Sequence, residues 1–150
     1  VPDMTLLADP AASDDLGVRL AALVQPGDVI TLAGPLGAGK TSIARGLLSA
    51  LGLAGEAPSP SFAIVQPYAP PEVRLPVLHV DLYRIEHRDE MEELGLDDAA
   101  SDSLLIVEWP ERAPGYWPHA LALTLEIMPD GARALTARVP AAWKARWHLI

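Results

Sequence analysis

The chain contains no cysteine. That excludes a disulfide framework and thiolate metal sites, and it agrees with a reducing compartment, so the cytosol (a cytoplasmic protein) is the expected location. Basic residues are scarce: 11 Lys+Arg stand against 20 Asp+Glu, for a net charge of -9. A free-standing nucleic-acid binder needs a basic face for phosphate contacts, so no direct nucleic-acid binding is expected. No run of about 18 apolar residues is available to cross a bilayer, and no charged-then-apolar leader follows Val1, so neither a membrane span nor a signal peptide is expected. Asparagine is also missing throughout, which matters once the main motif is in view.

What is present suits a packed domain. Half of the 150 residues are hydrophobic, enough for one core, and a single domain over 1–150 is the expectation. Asp9 followed by Pro10 reads as an N-cap with proline at the first helical position, and Leu16, Leu20, Leu23 and Val24 recur at helical spacing, so a first helix should end near Val24. After the turn at Gln25-Pro26-Gly27-Asp28, the apolar run Val29–Ala33 suits a buried strand. Ile43, Ala44, Leu47, Leu48 and Leu51 form one stripe of a second helix, closed by Gly52. Ala54 to Pro71 is rich in proline and small residues and reads as loop, except for a strand-like stretch from Phe62 to Val65. Val77–Asp81 and Leu104–Glu108 are further buried-strand candidates, each ending in a carboxylate. Arg88 to Leu94 reads as a short helix inside a mainly acidic stretch, Glu86 to Asp98, that suits a solvated face. Leu121–Ile127, the turn Pro129-Asp130-Gly131 and Leu135–Val139 make an antiparallel hairpin. Trp143 and Trp147 lie one helical turn apart in the tail.

Between the first strand and the second helix lies Gly34-Pro35-Leu36-Gly37-Ala38-Gly39-Lys40-Thr41, the G-x-x-x-x-G-K-[ST] pattern. A nucleoside triphosphate is highly charged, so its site must present many donors at close range with few side chains in the way, and glycines permit that. The following helix turns unpaired N–H groups and the positive end of its dipole toward the phosphates. Backbone from Leu36 through Gly37, Ala38, Gly39, Lys40, Thr41 and Ser42 is the expected cradle. Lys40 would reach the β and γ phosphates, and the Thr41 hydroxyl would take one position on an octahedral magnesium ion. The expected architecture is therefore a P-loop NTPase-like, three-layer α/β/α fold with a mostly parallel central sheet extended by antiparallel strands. ATP and Mg2+ are the expected cofactors.

Such a site needs a carboxylate near the metal, either to hold a metal-bound water or to orient the attacking one. Glu108 and Asp81 both qualify if their strand ends converge. Ser59, Pro60 and Ser61 are placed where a loop can close over the γ phosphate, or form an ordinary turn. Arg84 could support phosphate charge or serve as a surface ion-pair partner. His79, His87, His119 and His148 show no metal-ligand spacing, and His79 reads as a structural histidine within its strand.

Several segments resemble the TsaE (YjeE) family of ATPases. Leu36–Thr41 matches that family's P-loop; Ser59-Pro60-Ser61-Phe62 resembles its S-P-T-[FY] loop, His79-Val80-Asp81-Leu82-Tyr83-Arg84 its H-x-D-L-Y-R strand, and Val107-Glu108-Trp109-Pro110 its V-E-W-P segment. The order and spacing also match, and with Glu93-Leu94-Gly95 the resemblance covers roughly Asp9 to Glu111. It implies that Thr41 and Glu108 arrange the magnesium, that Asp81 assists hydrolysis alongside Glu108 and Lys40, and that Trp109 lies near the nucleotide. The base is implied to sit near the first helix, around Pro10 and Ser13. The implied role is an ATP-driven step in making threonylcarbamoyladenosine in transfer RNA, with TsaB and TsaD as partner proteins and weak hydrolysis by the chain alone. Ser61 and Ser13 stand where the family usually has threonine, keeping the hydroxyl and losing a methyl.

Two other enzyme readings compete, along with one that is not catalytic. A small-molecule kinase normally adds an arginine-rich lid, and no arginine cluster suits one. A GTPase needs asparagine-lysine-x-aspartate to recognise guanine, which a chain without asparagine cannot supply. A nucleotide-gated binding module, in which ATP orders a loop and hydrolysis is incidental, is the remaining alternative.

Overall fold

The computed structural model describes residues 3–55 and 65–147; the Ser59-Pro60-Ser61 triplet and Phe62 lie outside the described residues. In chain order the elements are β1 (Asp3–Leu7), α1 (Pro10–Ala21), β2 (Val29–Ala33), α2 (Lys40–Ala50), β3 (Val65–Tyr68), β4 (Val77–Asp81), a 3-10 helix (Arg88–Leu94), α3 (Leu96–Ala99), β5 (Leu104–Glu108), a 3-10 turn (Pro110–Arg112), β6 (Leu121–Ile127), β7 (Arg133–Arg138), a 3-10 turn (Ala141–Trp143) and α4 (Lys144–Trp147). The strands make one 7-stranded sheet in the order β1-β7-β6-β2-β5-β4-β3. Neighbours β6, β2, β5 and β4 run parallel. Antiparallel pairing adds β7 and β1 at one side and β3 at the other. The fold is the expected α/β architecture, parallel at its centre and extended by antiparallel strands.

The central strands are continuous apolar runs because they are covered on both faces; every residue of β5 is buried, as parallel strands require. On one face, Leu16 and Leu20 of α1 and Ile43 and Leu47 of α2 pack over Ile30, Leu32, Ile106 and Leu123, and Trp143 of the tail joins them. On the other, Leu82, Ile85, Met91, Leu96 and Ala113 cover Val80, Leu105 and Val107, in a cluster that includes no residue of β6 or β7. The third layer is thus built of short helical segments and spans only part of the sheet.

Two glycines bring α1 and α2 to backbone distance. A Cβ added at Gly46 would lie 2.5 Å from the Asp14 carbonyl oxygen, and one at Gly17 would collide with the carbonyl of Ile43. Only hydrogen fits between these helices at that point. Asp9 caps α1 as expected, its side chain accepting from the Ala12 N–H at 2.9 Å. Gly52, at φ 120°, ends α2: its N–H donates to Ser49 O and that of Leu53 to Leu48 O, the paired bonds of a left-handed helix stop.

Some elements differ from the sequence expectation. Helix α1 stops at Ala21 rather than Val24, although the Leu23 and Val24 N–H groups still bond back to the Leu20 carbonyl; Pro26 lies just beyond, and the chain unwinds ahead of it. Strand β1 was not expected at all. Strand β3 runs over Val65–Tyr68, where the sequence suggested loop after Val65. It contains Pro67, which an edge strand tolerates because no neighbour needs its missing N–H. The Arg88–Leu94 segment is helical but 3-10. Its acidic residues are partly tied down: the Glu90 carboxylate accepts from the N–H groups of Glu86 and His87 at 2.9 and 2.8 Å.

Candidate nucleotide site

The Gly34–Lys40 loop leaves β2 at its carboxyl end, where a parallel sheet opens a crevice between strands. Gly34, Gly37 and Gly39 all have positive φ (140°, 77° and 105°), so the loop turns through conformations other residues rarely adopt. A Cβ at Gly37 would meet no atom within 4 Å, whereas one at Gly34 would lie 2.5 Å from the Leu125 carbonyl oxygen. The loop is therefore pressed against β6 at its base and open at its apex. Arg133 braces that apex from the β6–β7 hairpin, donating to the Gly37 carbonyl at 3.0 Å.

Residues 36–42 line a cavity of about 470 Å³ together with Asp81, Tyr83, Arg84, Glu108 and Trp109. Lys40 is 5% exposed. Its ammonium donates to the Gly34 carbonyl at 2.5 Å and lies 3.2 Å from the centroid of the Trp109 ring. Burial pushes this ammonium below the ordinary lysine value, while Glu111, Glu108 and Asp81 pull it back up. Trp109 itself has φ 61°, the one positive-φ residue besides glycine among those described. That strained corner at the end of β5 lays the indole across Lys40 and against Tyr83, centroids 4.9 Å apart.

The carboxylates converge. β4 and β5 pair in parallel register with Asp81 opposite Glu108, so both acids sit on the sheet face that carries α2. Glu108 is held at both oxygens: Oε1 accepts from the Thr41 hydroxyl at 3.0 Å, and Oε2 lies 2.6 Å from His79 Nε2. Asp81 Oδ1 accepts from the Tyr83 N–H at 2.9 Å. Of the residues singled out from sequence, Leu36 to Ser42, Asp81, Glu108 and Trp109 share one cavity, with Arg84 on its wall. Pro10 and Ser13 do not line it. Ser13 is buried directly behind the loop, its hydroxyl 3.4 Å from where a Gly39 Cβ would stand, and Pro10 is exposed at the start of α1. His79 is buried within its strand, as expected of a structural histidine, and reaches the site through its contact with Glu108. Two positions before Asp81 on the same strand, it faces the same way as that acid, a parity visible in the sequence.

The residues fit the nucleotide and ion their motif implies. The open space over Gly37 leaves room for close approach to the backbone, a buried cation is in place at Lys40, and the Thr41–Glu108 pair brings one hydroxyl and one carboxylate together. That donor set suits magnesium, which keeps several waters and takes few protein oxygens.

A parallel core, a glycine loop at the tip of β2, and lysine and threonine opening α2 define an α/β protein with a candidate phosphate-binding loop at a central strand end. Comparison with known proteins narrows that class. The family model described as "Threonylcarbamoyl adenosine biosynthesis protein TsaE" matches residues 7–135, and the chain belongs to the TsaE family. It is 47% identical over 98 residues to the tRNA threonylcarbamoyladenosine biosynthesis protein TsaE of Streptomyces coelicolor, covering 65% of this chain and 66% of that one. The protein of the same description from Bacillus subtilis is 35% identical over 130 residues, covering 85% of this chain and 80% of its own length. Among solved structures, Bacillus subtilis YdiB aligns over 99% of this chain and 91% of its own, with a TM-score of 0.77 and 26% identity.

Proposed function

We propose that this chain binds ATP with magnesium and hydrolyses it, and that the reaction serves threonylcarbamoyladenosine formation in transfer RNA through a TsaB–TsaD pair. The observation that carries the reading is the Thr41 hydroxyl set 3.0 Å from a buried Glu108 carboxylate beside Lys40. The names of its relatives in Streptomyces coelicolor and Bacillus subtilis support the pathway.

Each residue then has a task. Backbone N–H groups from Leu36 to Ser42 bind phosphate oxygens, and the α2 dipole adds to their pull. Lys40 exchanges the Gly34 carbonyl for phosphate oxygens, and its charge counters the negative charge that builds in transfer. Thr41 and Glu108 would hold the ion through their side-chain oxygens, and the ion when bound would neutralise phosphate charge and help align the transferred group. Asp81, next to Glu108 on the neighbouring strand, accepts a hydrogen bond from the attacking water and orients it. Trp109 and Tyr83 wall the cavity and limit the entry of other water.

Calorimetry with ATP and magnesium tests binding, and phosphate release with and without TsaB and TsaD tests turnover. Lys40→Ala should remove most affinity, by about 10–100-fold, the order expected for a lost hydrogen bond from a charged group. Glu108→Ala should retain measurable nucleotide binding and lose the response to the partners. An unchanged titration for Lys40→Ala would sink the site assignment.

A further inference from the structure

The Glu108 carboxylate has an anchor that the proposed reaction does not use. His79 is fully buried and Glu108 is 2% exposed, so water does not compete for their 2.6 Å contact. In the ionised state that a metal ligand requires, the Glu108 carboxylate only accepts, and His79 Nε2 then carries the proton in this contact. The other ring nitrogen, Nδ1, is buried with no hydrogen-bond partner, so the tie to Glu108 is the ring's polar anchor among the described residues. Histidine here interrupts the otherwise apolar run Val77-Leu78-His79-Val80, where an aliphatic side chain would fill the same space without an unmet nitrogen.

We infer that His79 is a positioning residue, which by holding Glu108 Oε2 keeps Oε1 turned toward Thr41 and sets how readily the site takes its divalent ion. A free carboxylate rotates about three torsions and can offer an ion one oxygen or two. Magnesium demands near-octahedral geometry and is best served by one oxygen per carboxylate. With Oε2 engaged, only Oε1 is presented, on the side where the Thr41 hydroxyl already lies 3.0 Å away. Partners one step removed from a metal ligand commonly change metal affinity or activity by about 10–100-fold when removed.

The inference rests on the ATP–magnesium reading and deepens it. Its test uses the full chain with a non-hydrolysable ATP analogue, titrated by calorimetry in EDTA and across a magnesium series. In His79→Leu the magnesium concentration giving half of the metal-dependent gain in affinity should rise about 10-fold or more, while affinity in EDTA stays within about 2-fold. His79→Gln, whose amide nitrogen can occupy the Nε2 position and donate to Oε2, should return the metal requirement to within about 3-fold of the parent. If His79→Leu does not fold by circular dichroism, His79→Asn, whose amide is too short to reach Oε2, takes its place with the same expectation. An unchanged magnesium requirement overturns the inference. So does an equal loss of affinity with and without metal, or a folded His79→Gln that fails to recover. A parent chain that binds no analogue at any magnesium concentration overturns the ATP–magnesium reading and this inference with it. A parent that binds normally, beside variants with an unaltered metal requirement, overturns the inference alone.

Discussion

The two sides of the sheet are built differently. Around β4 and β5 both faces are covered, and the buried polar groups there, His79, Asp81 and Glu108, gather at the strand ends. Toward β6, β7 and β1, no helix among the described residues covers one face of the sheet. Thr31, Ala33, Ala122, Thr124, Thr136 and Arg138 border a shallow recess there, and Met4 and Leu6 are 72% and 65% exposed. The covered half can hold carboxylates in fixed geometry because packing excludes water and neighbouring groups supply each hydrogen bond. The open half reaches the site through its hairpin, at the Gly34–Leu125 contact and the Arg133–Gly37 bond.

Paired truncations should expose this contrast most strongly. Leu105→Ala, in a residue with no exposed surface, should cost about 3 kcal/mol, within the range for emptied core positions. Leu6→Ala on the open half should cost about 0.5 kcal/mol or less. Urea denaturation of both variants measures the difference, and equal losses would erase the distinction. Gly46→Ala addresses the helical layer that both halves share. Its methyl would press on the Asp14 carbonyl, so we expect a loss of about 2 kcal/mol despite alanine's better helix propensity. An unchanged midpoint would mean the helices can part without penalty.

The smallest effect concerns charge. Since burial lowers the Lys40 pKa, the unfolded chain binds more protons between that lowered value and 10.5, and stability should rise with pH across the window. Lys40→Met removes the cost of burying the ammonium. Its melting temperature at pH 7 should equal or exceed that of the parent, with the gap narrowing as pH climbs toward lysine's ordinary value. Melting curves from pH 7 to 10 check the sign, and a Met variant less stable at pH 7 would reverse it.

The same division governs what the sequence revealed. β2, β4 and β5 stand at their expected limits, because strands buried on both faces must be continuous apolar runs. The glycine loop between β2 and α2 was legible for a related reason: its glycines and lysine are adjacent in the chain, so no tertiary knowledge was needed to place it. β1 was not legible. Five residues long, it pairs with β7 across more than 120 residues, with Leu7 opposite Arg133, and local pattern carries no trace of such a partner. Pro67 hid β3, since a proline argues against a strand unless the strand is known to be an edge. His79 stands buried in its strand as expected, but its partner was not legible, because a search for metal-ligand spacing cannot find a pair formed with Glu108, 29 positions away.

The glycine contact between α1 and α2 has a mechanical consequence. Side chains that meet across an interface can change rotamer and absorb a displacement, whereas main chain pressed on main chain has no such slack. Residues 10–21 and 40–50 therefore behave as a single stiff block at the crossing of Gly17 and Gly46. A shove at the first turn of the leading helix would arrive undamped at the mouth of the second, with Ser13 bearing on Gly39.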